Sequence, residues 1–171
     1  MRAEIEQIIA QWEKNPRDAA KRLVDYYGEP DEVTPSRLIW HNTFDGWKRT
    51  VLVNEETPHN FPAPHTDYLE QSIDYQVPLD KYNDLAAFDG SVVADRTQGE
   101  LSARCGGTSM NFVAVNLAHD IVTGQRTVAE ARQEYTRLYQ AFKGGEKPPY
   151  TQEFQFELPK GSAQDPDKAT V

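Results

Sequence analysis

Cysteine is nearly missing: Cys105 is the only one among 171 residues. No intramolecular disulfide can form, so packing alone must hold the fold. That scarcity suits a reducing cytosol, and a cytoplasmic location is expected, although a bacterial periplasm also admits such a chain. Long apolar runs are lacking as well. No stretch approaches the ~18–20 residues of a membrane span, so no membrane partner is expected. The opening Met1-Arg2-Ala3-Glu4-Ile5-Glu6 carries acids where an export signal needs a basic and then an apolar run. Positive charge is short too, with 18 Lys and Arg against 27 Asp and Glu and a net charge of −9. Arg37, Lys48, Arg49, Arg96 and Arg104 are dispersed. A nucleic-acid backbone would be repelled on average, and no nucleic-acid partner is expected.

Aliphatic content is modest, with 38% hydrophobic residues, but three Trp and eight Tyr supply large core side chains. The length suits a single domain over residues 1–158. Residues 159–171 lack apolar content and read as a disordered C-terminal tail.

Periodicity predicts an α+β fold: an antiparallel sheet of four to five strands packed by helices on one face, entered by an N-terminal helical pair. Ile5, Ile8, Ile9 and Trp12 recur at helical spacing. Asn15-Pro16 restarts the pattern as N-cap and first helical residue. Gly28 and Pro30 end it. Arg37–His41 and Lys48–Val53 read as strands joined at Asp45-Gly46. Asn54–Pro64, with three prolines, reads as a loop. Ser72–Val77 alternates as a half-buried strand, and Ser91–Arg96 and Glu100–Cys105 flank a Gln98-Gly99 turn. Ser109–Thr123 is apolar nearly all round and predicts a buried helix. Thr127 and Glu130 form a capping box for the next one. Phe154, Phe156 and Leu158 alternate like an edge strand.

The Tyr27-Gly28-Glu29-Pro30 junction resembles the helix–Gly-x-Pro–strand entry of the small outer-membrane assembly lipoproteins. The likeness is confined to that junction, and no cysteine stands where those proteins carry a lipid anchor. It implies a shared way of turning a helix into a strand.

Four groups of residues have the chemistry for function. His59, His65 and Asp67 lie in a proline-stiffened stretch, and imidazole and carboxylate are ligands for zinc, iron or nickel. A His-x5-His-x-Asp spacing converges on one ion if the chain folds back. The competing reading is a braced loop with turn-capping histidines. Arg96, Glu100 and Arg104, with Asp95, stand at the Gln98-Gly99 hairpin as a candidate acid/base and anion-orienting set, or as cross-strand salt bridges. Asn116, His119 and Asp120 share one side of the apolar helix and read as its polar, C-terminal trim. Cys105 precedes Gly106-Gly107 and a helix start, where a thiol can be activated, although a buried, inert cysteine is commoner.

Two functions follow. The first is a binding module for a small-molecule or protein ligand, with Phe44, Trp47, Phe61 and Tyr68 as groove-lining aromatics. The second is a metal-assisted, hydrolase-like enzyme with a divalent transition metal as cofactor on His59, His65 and Asp67 and with Glu100 as base.

Overall fold

A computed structural model describes residues 2–171. Five helices and one antiparallel sheet of six strands make an α+β architecture. No helix among the described residues is long and apolar enough to cross a membrane.

Helix α1 (Arg2–Ile9) buries Ile5 and Ile9. Trp12 follows it and fixes the corner by donating its indole N–H to the Pro35 carbonyl at 2.8 Å. Helix α2 (Lys14–Tyr27) begins two residues before the proline expected to open it. Pro16 then sits in the first turn, where backbone N–H groups have no intrahelical acceptor and the missing donor costs nothing. Asn15 is no cap; its amide donates to Glu56 at 2.8 Å. Gly28 takes a positive φ of 88°, and its N–H closes the helix on the Val24 carbonyl at 3.0 Å.

The strands are β1 (Glu32–Thr34), β2 (Arg37–His41), β3 (Arg49–His59), β4 (His65–Asp74), β5 (Val92–Asp95) and β6 (Glu100–Cys105). Their order is β1-β2-β3-β4-β6-β5. The expected count of four to five is corrected to six. Strand β1 has three residues, too few for a periodicity to be read.

The larger correction concerns residues 54–64. Instead of a loop, β3 runs on to His59 and β4 begins at His65. The register shifts between Leu52 and Thr57, so the polar Asn54-Glu55-Glu56 run is absorbed in a bulge. The last β2–β3 pair is Arg37↔Val53. Beyond it β3 is an edge, where Pro58 is tolerated.

Leu38, Leu52, Leu69 and Cys105 are partners in one row across the sheet, and all four are buried. All helices cover this face. Helices α1 and α2 pack over the β2–β3 half. Helices α3 (Tyr82–Phe88), α4 (Thr108–Val122) and α5 (Val128–Lys143) cover the half built on β4, β6 and β5. The other face carries half-buried polar residues such as Arg49, Glu70 and Arg104.

Eleven of the fifteen residues of α4 are buried, as its all-round apolarity requires. Asn111 ties it to β4, donating to the Leu69 carbonyl at 3.1 Å and to Gln71 at 3.0 Å. Asn116 ties it to the C-terminal segment, donating to the Tyr150 and Glu153 carbonyls and accepting from the Gln155 N–H. That segment is therefore not an edge strand. Its aromatics cover the core instead: Phe154 packs on Trp47 and Phe112 at 4.8 and 4.9 Å, and Phe156 stacks on His119 at 4.1 Å. His119 accepts from or donates to the Tyr75 hydroxyl at 2.7 Å, and Asp120 pairs with Arg126 and Tyr150. These three polar residues of α4 are accounted for by packing. Helix α5 opens on the expected Thr127–Glu130 capping box.

The tail after residue 159 has defined contacts. Arg96 binds Asp165 at 2.7 Å and Asp167 at 2.6 Å, and Ala163 is buried against the β5–β6 turn. Gly99 has φ +64° there, and a Cβ on it would meet the Ala163 carbonyl.

Leu117 is fully buried in the middle of α4. Leu117→Ala is expected to destabilise the protein by about 2–5 kcal/mol. Chemical denaturation of both proteins measures it, and a change near zero would mean that α4 is not the centre of the core.

Candidate functional site

The β3–β4 hairpin explains how His-x5-His-x-Asp converges. His59 and His65 are direct cross-strand partners, so their side chains share one face. Asp67, two residues along β4, points to the same face as His65. That is the face covered by helices. The five connecting residues, with prolines at 62 and 64, only have to reverse the chain.

Asp67 is 1% exposed, and both imidazoles are largely covered. His59 Nδ1 lies 3.2 Å from Asp67 Oδ2, and His65 Nε2 lies 2.9 Å from Asp67 Oδ1. The ring centroids are 4.9 Å apart. One donor atom from each of the three residues lies within 4.8 Å of the others. Donors around a tetrahedral ion at ~2.0–2.2 Å are separated by about 3.3–3.6 Å, so the group needs only a small adjustment to hold one.

The tautomers are partly fixed. His65 Nδ1 lies 2.8 Å from the Ala63 carbonyl, which only accepts, so Nδ1 carries hydrogen. Nε2 is then the atom turned to Asp67 and to the Cys105 sulfur at 3.6 Å. Although close, Asp67 Oδ1 has no hydrogen bond of acceptable angle. The two atoms are 2.9 Å apart without forming a hydrogen bond. His59 is placed similarly: its Nδ1 faces Asp67, while its Nε2 lies 3.6 Å from Asp89. A carboxylate behind a ligating imidazole orients the ring and raises its basicity.

Several surrounding residues were not singled out from the sequence. Asp89 is 3% exposed, and burial pushes its carboxyl above the usual range, opposed by the Ser91 N–H at 2.8 Å and by His59. The Ser91 hydroxyl donates to Asp67 Oδ2 at 2.5 Å. Tyr135 closes the cluster from α5; it is 2% exposed, and burial keeps its hydroxyl protonated well beyond the ordinary phenol range. Phe61 packs on Tyr135 at 5.0 Å, and the Arg132 guanidinium lies 3.8 Å over the Phe61 ring. Nothing local joins Asp89 to His59, thirty residues away.

Arg96, Glu100 and Arg104 are not brought together. Glu100, near one end of β6, is bound by Arg49 at 2.6 Å and Lys48 at 2.8 Å, which leaves it no free oxygen for a base. Arg96 holds the tail. Arg104 alone approaches the cluster, its Nε 4.0 Å from Asp67 Oδ2 and without a hydrogen bond.

A cleft of about 750 Å³ opens beside the cluster, between α2, the start of α4 and the end of α5. His65, Tyr68 and Cys105 lie on its wall. Of the other loop aromatics, Trp47 is fully buried in the core and Phe44 is exposed against Tyr26, 5.0 Å away.

No family model matches the chain, and neither a curated protein nor a solved structure matches it.

Burial pushes the Cys105 thiol up to about 12. The thiolate is the nucleophile, and at pH 8 very little exists. Native protein is expected to resist alkylation by iodoacetamide at pH 8 and to react fully once unfolded in guanidinium. Mass spectrometry measures both, and rapid native-state labelling would contradict the assignment of Cys105 as an inert wall residue.

Proposed function

We propose that the protein binds a small ligand in the cleft between α2, α4 and α5 and holds a divalent transition metal beside it on His59, His65 and Asp67. The observation that carries this reading is the convergence of the three donors on one buried region, with His65 Nε2 and Asp67 Oδ1 2.9 Å apart yet unbonded. Two imidazole nitrogens and a carboxylate oxygen form a three-ligand set that leaves a coordination position open. A metal held by His59, His65 and Asp67 would supply Lewis acidity for a hydrolase-like reaction. The chain's own part is orientation. Ala63 fixes the His65 ring, Asp89 lies 3.6 Å behind His59, Ser91 fixes Asp67, and the covering Phe61, Tyr135 and Arg132 limit access of bulk water.

Glu100 has no part in this scheme. The alternative, a binding module without a metal, is supported by the cleft itself. A cytoplasmic location is supported by the single free thiol, and the net charge of −9 supports the absence of a nucleic-acid partner.

Purified protein, stripped with chelator and resupplied with Zn²⁺ or Co²⁺, is expected to retain one equivalent after desalting. His65→Ala is expected to retain none, and His41→Ala, a surface control, one. Asp89→Asn is expected to weaken retention by about 10–100-fold, the usual effect of removing a group behind a ligand. Equal and negligible metal in wild type and His65→Ala would overturn the metal reading and leave the binding module.

A further inference from the structure

The cleft has a charge character unlike the rest of the molecule. In a chain of net charge −9, the residues lining it include Arg22 and Lys143 and not one Asp or Glu. A second cleft, of about 640 Å³ along α1 and α2, mixes both signs, with Arg2, Arg17 and Lys21 beside Glu6, Asp18 and Asp25. Among the described residues no carboxylate lies within ion-pair distance of Arg22 or Lys143, whereas nine of the other sixteen Lys and Arg have one. The Lys143 ammonium lies 5.9 Å from the Tyr139 ring centroid. Glu56, held by two lining residues, accepts from Asn15 at 2.8 Å and from Thr66 at 2.5 Å.

The two cations come from different elements, Arg22 from α2 and Lys143 from the end of α5. Between them the wall is apolar, with Met110, Phe112 and Phe142. The first turn of α4, whose N-cap Gly107 offers no side-chain cap, adds its free N–H groups and the positive end of its dipole to the same side.

We propose that the cleft binds a small amphiphilic carboxylate, its apolar body against Met110, Phe112 and Phe142 and its carboxylate on Arg22 and Lys143. This names the ligand class for the metal-bearing site of the preceding section and rests on that reading only for what happens to the ligand afterwards. Charge complementarity selects the anion, because a cationic amphiphile of the same shape would face two like charges. The apolar wall selects the body, because an inorganic anion leaves that surface uncovered.

The test uses the full chain freed of metal with chelator, so that its outcome does not depend on the ion. Octanoate, octanol and octylammonium are titrated against it by two-dimensional NMR. Octanoate is expected to bind saturably, shifting amides of Gly106–Met110 and of α5. Octanol and octylammonium are expected to bind at least about tenfold more weakly, the value of one charge-assisted contact. Arg22→Ala with Lys143→Ala, both at exposed positions, is expected to reduce octanoate to the level of octanol without altering the far-UV spectrum. Equal binding of octanoate and octanol, or octanoate binding untouched by the double variant, would overturn the proposal. Such a result leaves metal retention unaffected, and failure to retain metal leaves octanoate binding unaffected, so the two readings fail separately.

Discussion

Asp67 is the residue around which this half of the molecule is arranged. A carboxylate 1% exposed is costly to bury unless positive charge and hydrogen bonds compensate it. Here the compensation comes from several elements at once. Strand β3 supplies His59, β4 supplies His65, the start of β5 supplies Ser91, and β6 supplies Arg104 at the margin. None of these satisfies Oδ1 with good geometry. A cation drawn between the two imidazoles and the carboxylate would complete the arrangement. Within the protein the alternative is a proton on His65 Nε2, and its poor alignment with Oδ1 argues for the metal.

The scaffold makes the convergence possible through one irregularity. If β3 and β4 paired in continuous register from Leu52↔Leu69 onward, His59 would stand opposite Pro62 instead of His65. The bulge between Leu52 and Thr57 takes up the excess chain and sets His59 opposite His65. Phe61, beside the His59 ring, packs on Tyr135 of α5, and together they help to enclose the pair of rings. The same hairpin end meets the cleft through His65, so an ion held there would lie beside a ligand in the cleft.

The sequence made the helical half legible. The all-round apolarity of α4, the Thr127–Glu130 box and the Gly28 stop each have a local cause that tertiary structure did not override. Strand class and helix-covered face were legible for the same reason. The proline run misled at residues 54–64, because three prolines usually exclude a ladder, and only an edge position permits Pro58 within one. Phe154, Phe156 and Leu158 alternate as a strand would, but Asn116 claims the backbone of that segment. In the site, His59, His65 and Asp67 were visible because they lie within nine residues of one another. Asp89, Ser91 and Tyr135 were not, since their approach depends on the β4–β6–β5 pairing and on the docking of α5. Arg96 and Glu100 looked like a pair only until the tail and Arg49 took them as partners.

The measurement that bears most directly on the account is X-ray absorption at the zinc edge of the reconstituted protein. Two imidazole shells and one carboxylate oxygen at ~2.0–2.2 Å, with one further light-atom ligand, are the predicted first shell. A spectrum of zinc ligated by water alone, or one unchanged by Asp67→Ala, would contradict the claim that Asp67 is buried in order to hold a cation with His59 and His65.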